Sequence, residues 1–299
     1  MKIVFKKLPL QAINDEITRR YNIHLYMLRT DLNHPLISGN KLFKLKYNLQ
    51  QATQLNKKAL LTFGGAFSNH IAATAAAGKE YGFETIGIIR GEKYPELNPT
   101  LKFAAECGMQ LHYVPRSLYQ NKKQLYTYVN NLFVAENSYL IPEGGANELG
   151  VKGCKEIIDS VGINFDYITC ACGTGTTLSG IAQSLNNNQK AMGFQVLKSE
   201  GYIKKEVEKW LNENDRNNWI INEDYHFGGY AKIKKELTDF IIWFEQANKI
   251  PLDFLYTGKM MFGIYDLIQK GFFKQGQTII SVHTGGLQGN KGFNRSLDF

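Results

Sequence analysis

A lysine can do covalent chemistry only if it loses its proton near neutral pH, and one stretch of this sequence prepares a lysine for that. In Leu36-Ile-Ser-Gly-Asn-Lys-Leu-Phe-Lys44, Lys41 follows a small tripeptide (Ser38, Gly39, Asn40) and precedes an apolar-periodic run. Gly and Asn tolerate unusual backbone angles, so the spacing predicts a turn and then a helix. Near a helix start the dipole disfavours a second positive charge, which lowers an amine's pKa. An unprotonated amine is the nucleophile of Schiff-base chemistry. On this stretch alone, a solvated lysine among 35 basic residues is the open alternative.

A second stretch, Cys172-Gly-Thr-Gly-Thr-Thr-Leu-Ser-Gly180, suits an anion. Gly173 and Gly175 bend the backbone, and amides together with the hydroxyls of Thr174, Thr176 and Thr177 make a site fit for phosphate. Leu178 stands where the dinucleotide fingerprint needs its third glycine, and Ile181 where a Walker loop has its lysine. A phosphate is expected, and a nucleotide is not indicated. A glycine turn capped by threonines is the structural alternative.

Ser68 is a natural N-cap, and with Asn69 and His70 it opens a second helix mouth after Gly64-Gly65. Tyr256 begins Tyr256-Thr-Gly-Lys259, and Tyr230 follows Gly228-Gly229. In such turns a phenol can stack on a flat ring or donate a proton. With 16 tyrosines in the chain, a core role is the usual one for any of them.

Strands and helices alternate around these residues. The apolar patterns predict strands at 59–63, 85–89, 111–114, 139–141, 167–172, 193–197, 219–222 and 278–282. Helices are expected at 68–81, 99–106, 122–135, 148–160, 204–211, 233–248 and 260–270. This order implies an α/β fold with parallel sheets flanked by helices. In open α/β sheets ligands sit at the carboxyl ends of strands. There the chain places Gly64-Gly65, Gly144-Gly145, Gly173–Gly175, Gly228-Gly229 and Gly285-Gly286, which together suggest one crowded site.

Composition narrows the class. The 299 residues suffice for one large or two ordinary domains, and 43% hydrophobic with 21% charged is typical of a globular chain. The net charge of +8 permits an anionic ligand, but the basic residues are scattered beside acidic ones, so no nucleic-acid partner is expected. Cys107, Cys154, Cys170 and Cys172 form no C-x-x-C or Cys/His knuckle, so reduced thiols and no metal are expected. Met1–Leu10 has only short apolar pieces broken by lysines, so neither a signal peptide nor a membrane partner is expected.

Taken together, the motifs carry a family resemblance. Ser-Gly-Asn-Lys-x-x-Lys-Leu, Gly-Gly-x-x-Ser-Asn-His, Gly-Thr-Gly-Thr-Thr, Tyr-Thr-Gly-Lys and His-Thr-Gly-Gly occur in that order from about Leu36 to Gly286. The set resembles the 1-aminocyclopropane-1-carboxylate (ACC) deaminase / D-cysteine desulfhydrase family, pyridoxal-phosphate enzymes of the tryptophan-synthase β-like fold (fold type II). The resemblance implies pyridoxal 5'-phosphate as cofactor, held by Lys41, which also handles the Cα proton. It implies that Asn69 bonds the ring hydroxyl and that Gly173, Thr174, Gly175, Thr176 and Thr177 hold the phosphate. Ser68 would serve the substrate carboxylate or proton transfer, Tyr230 and Tyr256 would flank the substrate, and Thr257 would face the pyridine nitrogen. Reduced thiols are those expected of a cytoplasmic protein; the resemblance further implies a homodimer, with a large domain of residues 1–45 and 146–299 and a small inserted domain of residues 46–145.

Thr257 stands where the deaminase branch carries glutamate. A carboxylate there keeps the ring nitrogen protonated and deepens the electron sink. A hydroxyl does less, which suits β-elimination of a good leaving group better than opening a cyclopropane. The expected activity is therefore D-cysteine desulfhydrase-like, giving pyruvate, ammonia and sulfide. ACC deaminase activity is one alternative, and a cofactor-binding relative without this turnover is another. Phe43 and Lys46 depart from the family's usual Arg and Glu.

Overall fold

Ala59–Gly65 is buried at nearly every position, the signature of a strand covered on both faces. It lies inside one of two sheets. The computed structural model describes residue 3 and residues 7–132, 137–212, 218–229 and 232–292. In chain order its elements are β1 (Leu10–Ile13), α1 (Glu16–Arg20), β2 (His24–Leu28), α2 (Asn40–Gln54), β3 (Ala59–Gly65), α3 (Asn69–Tyr81), β4 (Glu84–Arg90) and α4 (Pro99–Glu106). Then come β5 (Met109–Val114), α5 (Arg116–Gln120), α6 (Lys122–Leu132), β6 (Ser138–Leu140), α7 (Glu148–Lys155), β7 (Tyr167–Cys172) and α8 (Thr176–Ala182). The rest are β8 (Lys190–Gln195), α9 (Tyr202–Glu208), β9 (Trp219–Asn222), α10 (Lys235–Asn248), α11 (Thr257–Gln269) and β10 (Thr278–Val282).

One sheet runs β1-β2-β10-β7-β8-β9 and the other β5-β4-β3-β6. Every pairing is parallel except that of β1 with β2. All strands of the four-stranded sheet fall between β2 and β7 in the sequence. Parallel strands need crossovers, and helices supply them on both faces. One face of the larger sheet packs under α10 and α11 through Met192, Phe194, Ile241, Phe244 and Met260. The other packs under α7 and α8 through Cys154, Ile168, Leu178, Ile181 and Ile280.

Helix α2 ties the two sheets together. Its Leu45 and Leu49 pack with Leu60 and Ala73 of the smaller sheet's layer, while Phe43 enters the core beneath the larger sheet. It approaches α7 so closely that a Cβ on Gly153 would stand 1.9 Å from the Phe43 carbonyl oxygen. Asn48 and Asn147 link the same two helices, 2.7 Å from Asn147 Nδ2 to Asn48 Oδ1. Residues on the first turn of α2 are thus held against both halves of the molecule.

The expected α/β architecture is present, with local differences. The helix expected over 148–160 breaks after Lys155 and resumes as a 3-10 turn at Ile158–Ser160. The strand expected at 193–197 begins at Lys190, and the helix expected from 260 begins at Thr257. Side-chain caps on Asn69–Tyr81, Pro99–Glu106 and Glu148–Lys155 come from Ser68, Asn98 and Asn147, each accepting from the amide three residues on. Among the described residues, no helix is long and apolar enough to cross a membrane.

Candidate active site

Lys41 occupies the first turn of α2, directly behind a tight chain crossing. Gly39 has φ +72°, a region that favours glycine. A Cβ there would lie 2.1 Å from the Thr284 carbonyl oxygen. The turn after β10 therefore presses against the residue that launches the lysine helix. Asn40 donates from Nδ2 to Thr177 Oγ1 at 2.8 Å, and its Oδ1 accepts from Lys41 Nζ at 2.7 Å. One amide thus links the lysine to the glycine–threonine loop.

Lys41, Ser68, Asn69, Gly173, Thr174, Gly175, Thr177 and Tyr256, all singled out in the sequence, line one cavity of about 210 Å³. Burial pushes the Lys41 amine down to about 7, and the neighbouring Lys44 charge adds to the shift, while Asp253 opposes it. Desolvation and a like charge both disfavour the ammonium form. A large share of the amine is therefore free at neutral pH and able to act as a nucleophile or base.

Sequence reasoning did not give Lys44 a role. It lies one helical turn after Lys41, on the same face. Its Nζ sits 3.1 Å from the Gly144 carbonyl and 3.3 Å from Thr174 Oγ1. Thr174 and Thr176 hydroxyls are 3.0 Å apart, so Thr176 supports the loop although it does not line the cavity. Two glycines, a set of threonine hydroxyls and a buried cation make a phosphate cradle. Cys172 lines the cavity just ahead of this loop, and Cys170 and Cys172 are free buried thiols.

On the opposite wall, Ser68 Oγ accepts from the Ile71 amide at 3.3 Å and caps α3. The amides of Asn69 and His70 are the first of that helix and have no helical carbonyl to reach. Asn69 Oδ1 accepts from Gln288 at 3.0 Å, which turns the Asn69 amino group toward Gly286 and the cavity. His70 is buried, and its tautomer follows from its partner. Thr62 gives its only hydroxyl proton to the Ile141 carbonyl at 2.9 Å. Thr62 must then accept from His70 Nε2–H at 2.9 Å, leaving Nδ1 a bare, buried acceptor without a partner. Burial and the two lysines hold the His70 pKa well below its usual value, so the ring stays neutral.

Tyr256 packs its ring across Gly173, whose Cβ would stand 3.3 Å from it. Thr257 is fully buried and does not line the cavity. Its hydroxyl donates to Asp253 Oδ1 at 2.6 Å and accepts from the Asp253 amide at 2.9 Å. The Asp253 carboxylate also accepts from the amides of Leu255, Tyr256 and Thr257. Tyr230 lies outside the described residues. The loop that leads to it is pinned by Lys259, whose Nζ donates to the His226 and Gly229 carbonyls at 3.0 and 2.8 Å. Arg90 and Glu143 also line the cavity and carried no signal in the sequence. Phe43 is fully buried away from the cavity, and Lys46 pairs with Glu156 at 2.6 Å.

These residues suit a flat phosphorylated aldehyde: a depressed amine to hold it, a side-chain amide beside it, and a hydroxyl-lined cradle with a cation for its phosphate. Two mostly parallel sheets meeting over such a lysine define a fold type II pyridoxal-phosphate enzyme. The chain belongs to the pyridoxal-phosphate dependent enzyme family, whose sequence signature matches residues 7–285, and pyridoxal 5'-phosphate is its cofactor. It is 30% identical over 300 residues to a Pyrococcus furiosus protein described as "Putative 1-aminocyclopropane-1-carboxylate deaminase", covering 94% of this chain and 90% of that one. It is 29% identical to the mitochondrial bifunctional D-cysteine desulfhydrase/1-aminocyclopropane-1-carboxylate deaminase of Arabidopsis thaliana, covering 89% of this chain and 73% of that one. The crystal structure of an ACC deaminase homologue superposes with a TM-score of 0.85 at 27% identity, covering 98% and 94% of the two chains.

Proposed function

We propose that this enzyme performs β-elimination on a small amino acid, with D-cysteine as the model substrate. D-Cysteine and water would give pyruvate, ammonia and hydrogen sulfide. The observation that carries the reading is the Lys41 amine, pushed down to about 7 inside the cavity and held by Asn40 Oδ1 at 2.7 Å. When bound, the cofactor supplies an electron sink for the carbanion at Cα.

The protein's own groups do the rest. Lys41 takes the Cα proton, and Asn40 Oδ1 steadies the ammonium that forms. The Asn69 and His70 amides, with the Ser68 hydroxyl, hold the substrate carboxylate at the mouth of α3. Lys44, Thr174 and Thr177 fix the phosphate, and with it the orientation of the reacting ring. Tyr256, against Gly173, covers the far side and excludes water. The cytoplasmic homodimer and the domain limits at residues 46 and 145 belong to the same proposal.

A second reading, ring opening of ACC to 2-oxobutyrate and ammonia, is supported by the names of the relatives and by Asp253. That carboxylate stands one hydroxyl away from the position where the deaminase branch carries glutamate. The deciding experiment incubates the holoenzyme with D-cysteine and with ACC, measuring sulfide and pyruvate against 2-oxobutyrate. Sulfide release with no 2-oxobutyrate supports elimination; the reverse pattern overturns it.

A further inference from the structure

Arg90 ends β4, where the register pairs it with Gly65 of β3, and it lines the same cavity as Lys41 and Ser68. Two features seat this exposed side chain. Gly65 leaves room for it: the terminal guanidinium nitrogen lies 3.3 Å from where a Cβ at position 65 would stand. The buried ring of Tyr119 backs it, with Cζ 5.7 Å from the ring centroid. A long flexible chain is thereby braced along the cavity mouth.

The Tyr119 ring is the contact that the described residues give that guanidinium's charge, and it carries no countercharge. Among the described residues no carboxylate pairs with Arg90, and Glu143, the acid on the same cavity wall, is engaged by Lys122 at 2.8 Å. Nor does the substrate's α-carboxylate require it, since the mouth of α3 already offers amides and a hydroxyl. The cofactor's phosphate has its own cation in Lys44, within 3.3 Å of Thr174. A planar fork of donors facing a cavity is suited to a carboxylate, phosphate or sulfonate oxygen pair.

We propose that Arg90 recognises an acidic group on the substrate's β-substituent, so that the preferred substrates are amino acids carrying a second anion beyond Cβ. The proposal rests on the elimination reading above. For O-phosphoserine the Cα–H and Cβ–O bonds break. The proton passes to Lys41, and phosphate leaves with the C–O electron pair. Water then converts the three-carbon fragment to pyruvate and ammonia. Arg90 meets the charge of the departing phosphate, a group that leaves poorly when its charge is unopposed.

The test compares both enantiomers of O-phosphoserine and of β-chloroalanine, which lacks the second anion, with holoenzyme and its Arg90→Gln and Arg90→Lys variants. The ratio of KM for O-phosphoserine to KM for β-chloroalanine should rise by about tenfold or more in Arg90→Gln, the loss expected for one charge-assisted contact. Arg90→Lys should recover part of it. An unchanged ratio overturns the proposal, because a shared role in the α-carboxylate or the fold moves both KM values together. If the wild type eliminates neither compound, the elimination reading fails on its own. Calorimetric binding of O-phosphoserine against serine then decides: a preference lost in Arg90→Gln sustains the subsite, and no preference removes it.

Discussion

The hydroxyl of Thr257 donates to the carboxylate of Asp253 at 2.6 Å, while the Asp253 amide donates to the Thr257 hydroxyl oxygen at 2.9 Å. The two residues close the turn that carries Tyr256 and begins α11. From sequence, Thr257 stands alone as a weak substitute for a glutamate. In the fold its proton is committed to a buried carboxylate, so any group meeting its remaining lone pair must itself be a donor. Thr257→Val would leave an Asp253 oxygen and an amide short of a partner, at a cost of about 1.5–3 kcal/mol. Thr257→Ser, which keeps the hydroxyl, should lose less than about 1 kcal/mol by the same reasoning. Urea denaturation of the cofactor-free protein measures both, and equal losses would contradict this reading of the turn.

Lys41 gives a pH dependence with a definite sign. Its folded pKa is about 7 against a reference of 10.5. The free amine should rise from ~10% at pH 6 to ~90% at pH 8 and then level off. The rate at which cofactor-free protein captures pyridoxal 5'-phosphate should follow that curve. A rate still climbing tenfold per unit at pH 9 would mean an ordinary lysine. Between pH 7 and 10.5 the unfolded chain holds a proton here that the folded chain does not. The site's contribution to stability therefore grows as pH rises through that window.

Lys44→Met separates cofactor binding from folding. The buried amine has a lowered pKa because of its desolvation, so removing it should not lower the stability of the cofactor-free protein. Losing a cation beside Thr174 should weaken cofactor affinity by roughly ten- to a hundredfold, the range of one charge-assisted hydrogen bond. Equilibrium dialysis gives the second quantity and thermal melting the first. A variant that melts early yet binds the cofactor normally would reverse both assignments.

How far the sequence carried depended on whether a feature was local. The parallel strands from Ala59 onward are short apolar runs, several of them closed by glycine, and they were legible as such. β1 and β2 were not read. They are short, and Gln11, His24 and Tyr26 interrupt their apolar residues. β1 pairs only with β2, and β2's parallel partner β10 lies more than 250 residues away, His24 opposite Thr278. At the site, the motif residues at strand ends were visible because glycine and small polar residues mark close approach. Arg90 and Glu143 were not, because only the packing of the smaller sheet brings them to the cavity that holds Lys41. Asp253 was missed because its value lies in a turn that folds its carboxylate onto residues two to four positions later. Lys259 sits inside a recognised motif, yet the carbonyls it holds belong to a loop 30 and 33 residues earlier.

Gly39 offers the sharpest test of how the lysine is aimed. An alanine there faces two penalties. One is a left-handed backbone angle, φ +72°; the other is a Cβ 2.1 Å from the Thr284 carbonyl oxygen. The angle alone costs about 1 kcal/mol or more, and a backbone collision adds to it because neither chain can rotate aside. To relieve the contact, the turn after β10 must move away from Asn40, whose amide faces the Thr284 carbonyl at 3.4 Å. That shift would pull Asn40 from Thr177 and disturb Lys41 and the phosphate loop together. Gly39→Ala should therefore lower both melting temperature and cofactor affinity, whereas Gly82→Ala is the control. Gly82 also has a positive φ but meets nothing within 4 Å of its added Cβ. It should lose stability alone, with cofactor affinity kept. Matching losses of affinity in the two variants would show that the crossing at Thr284 does not aim the lysine.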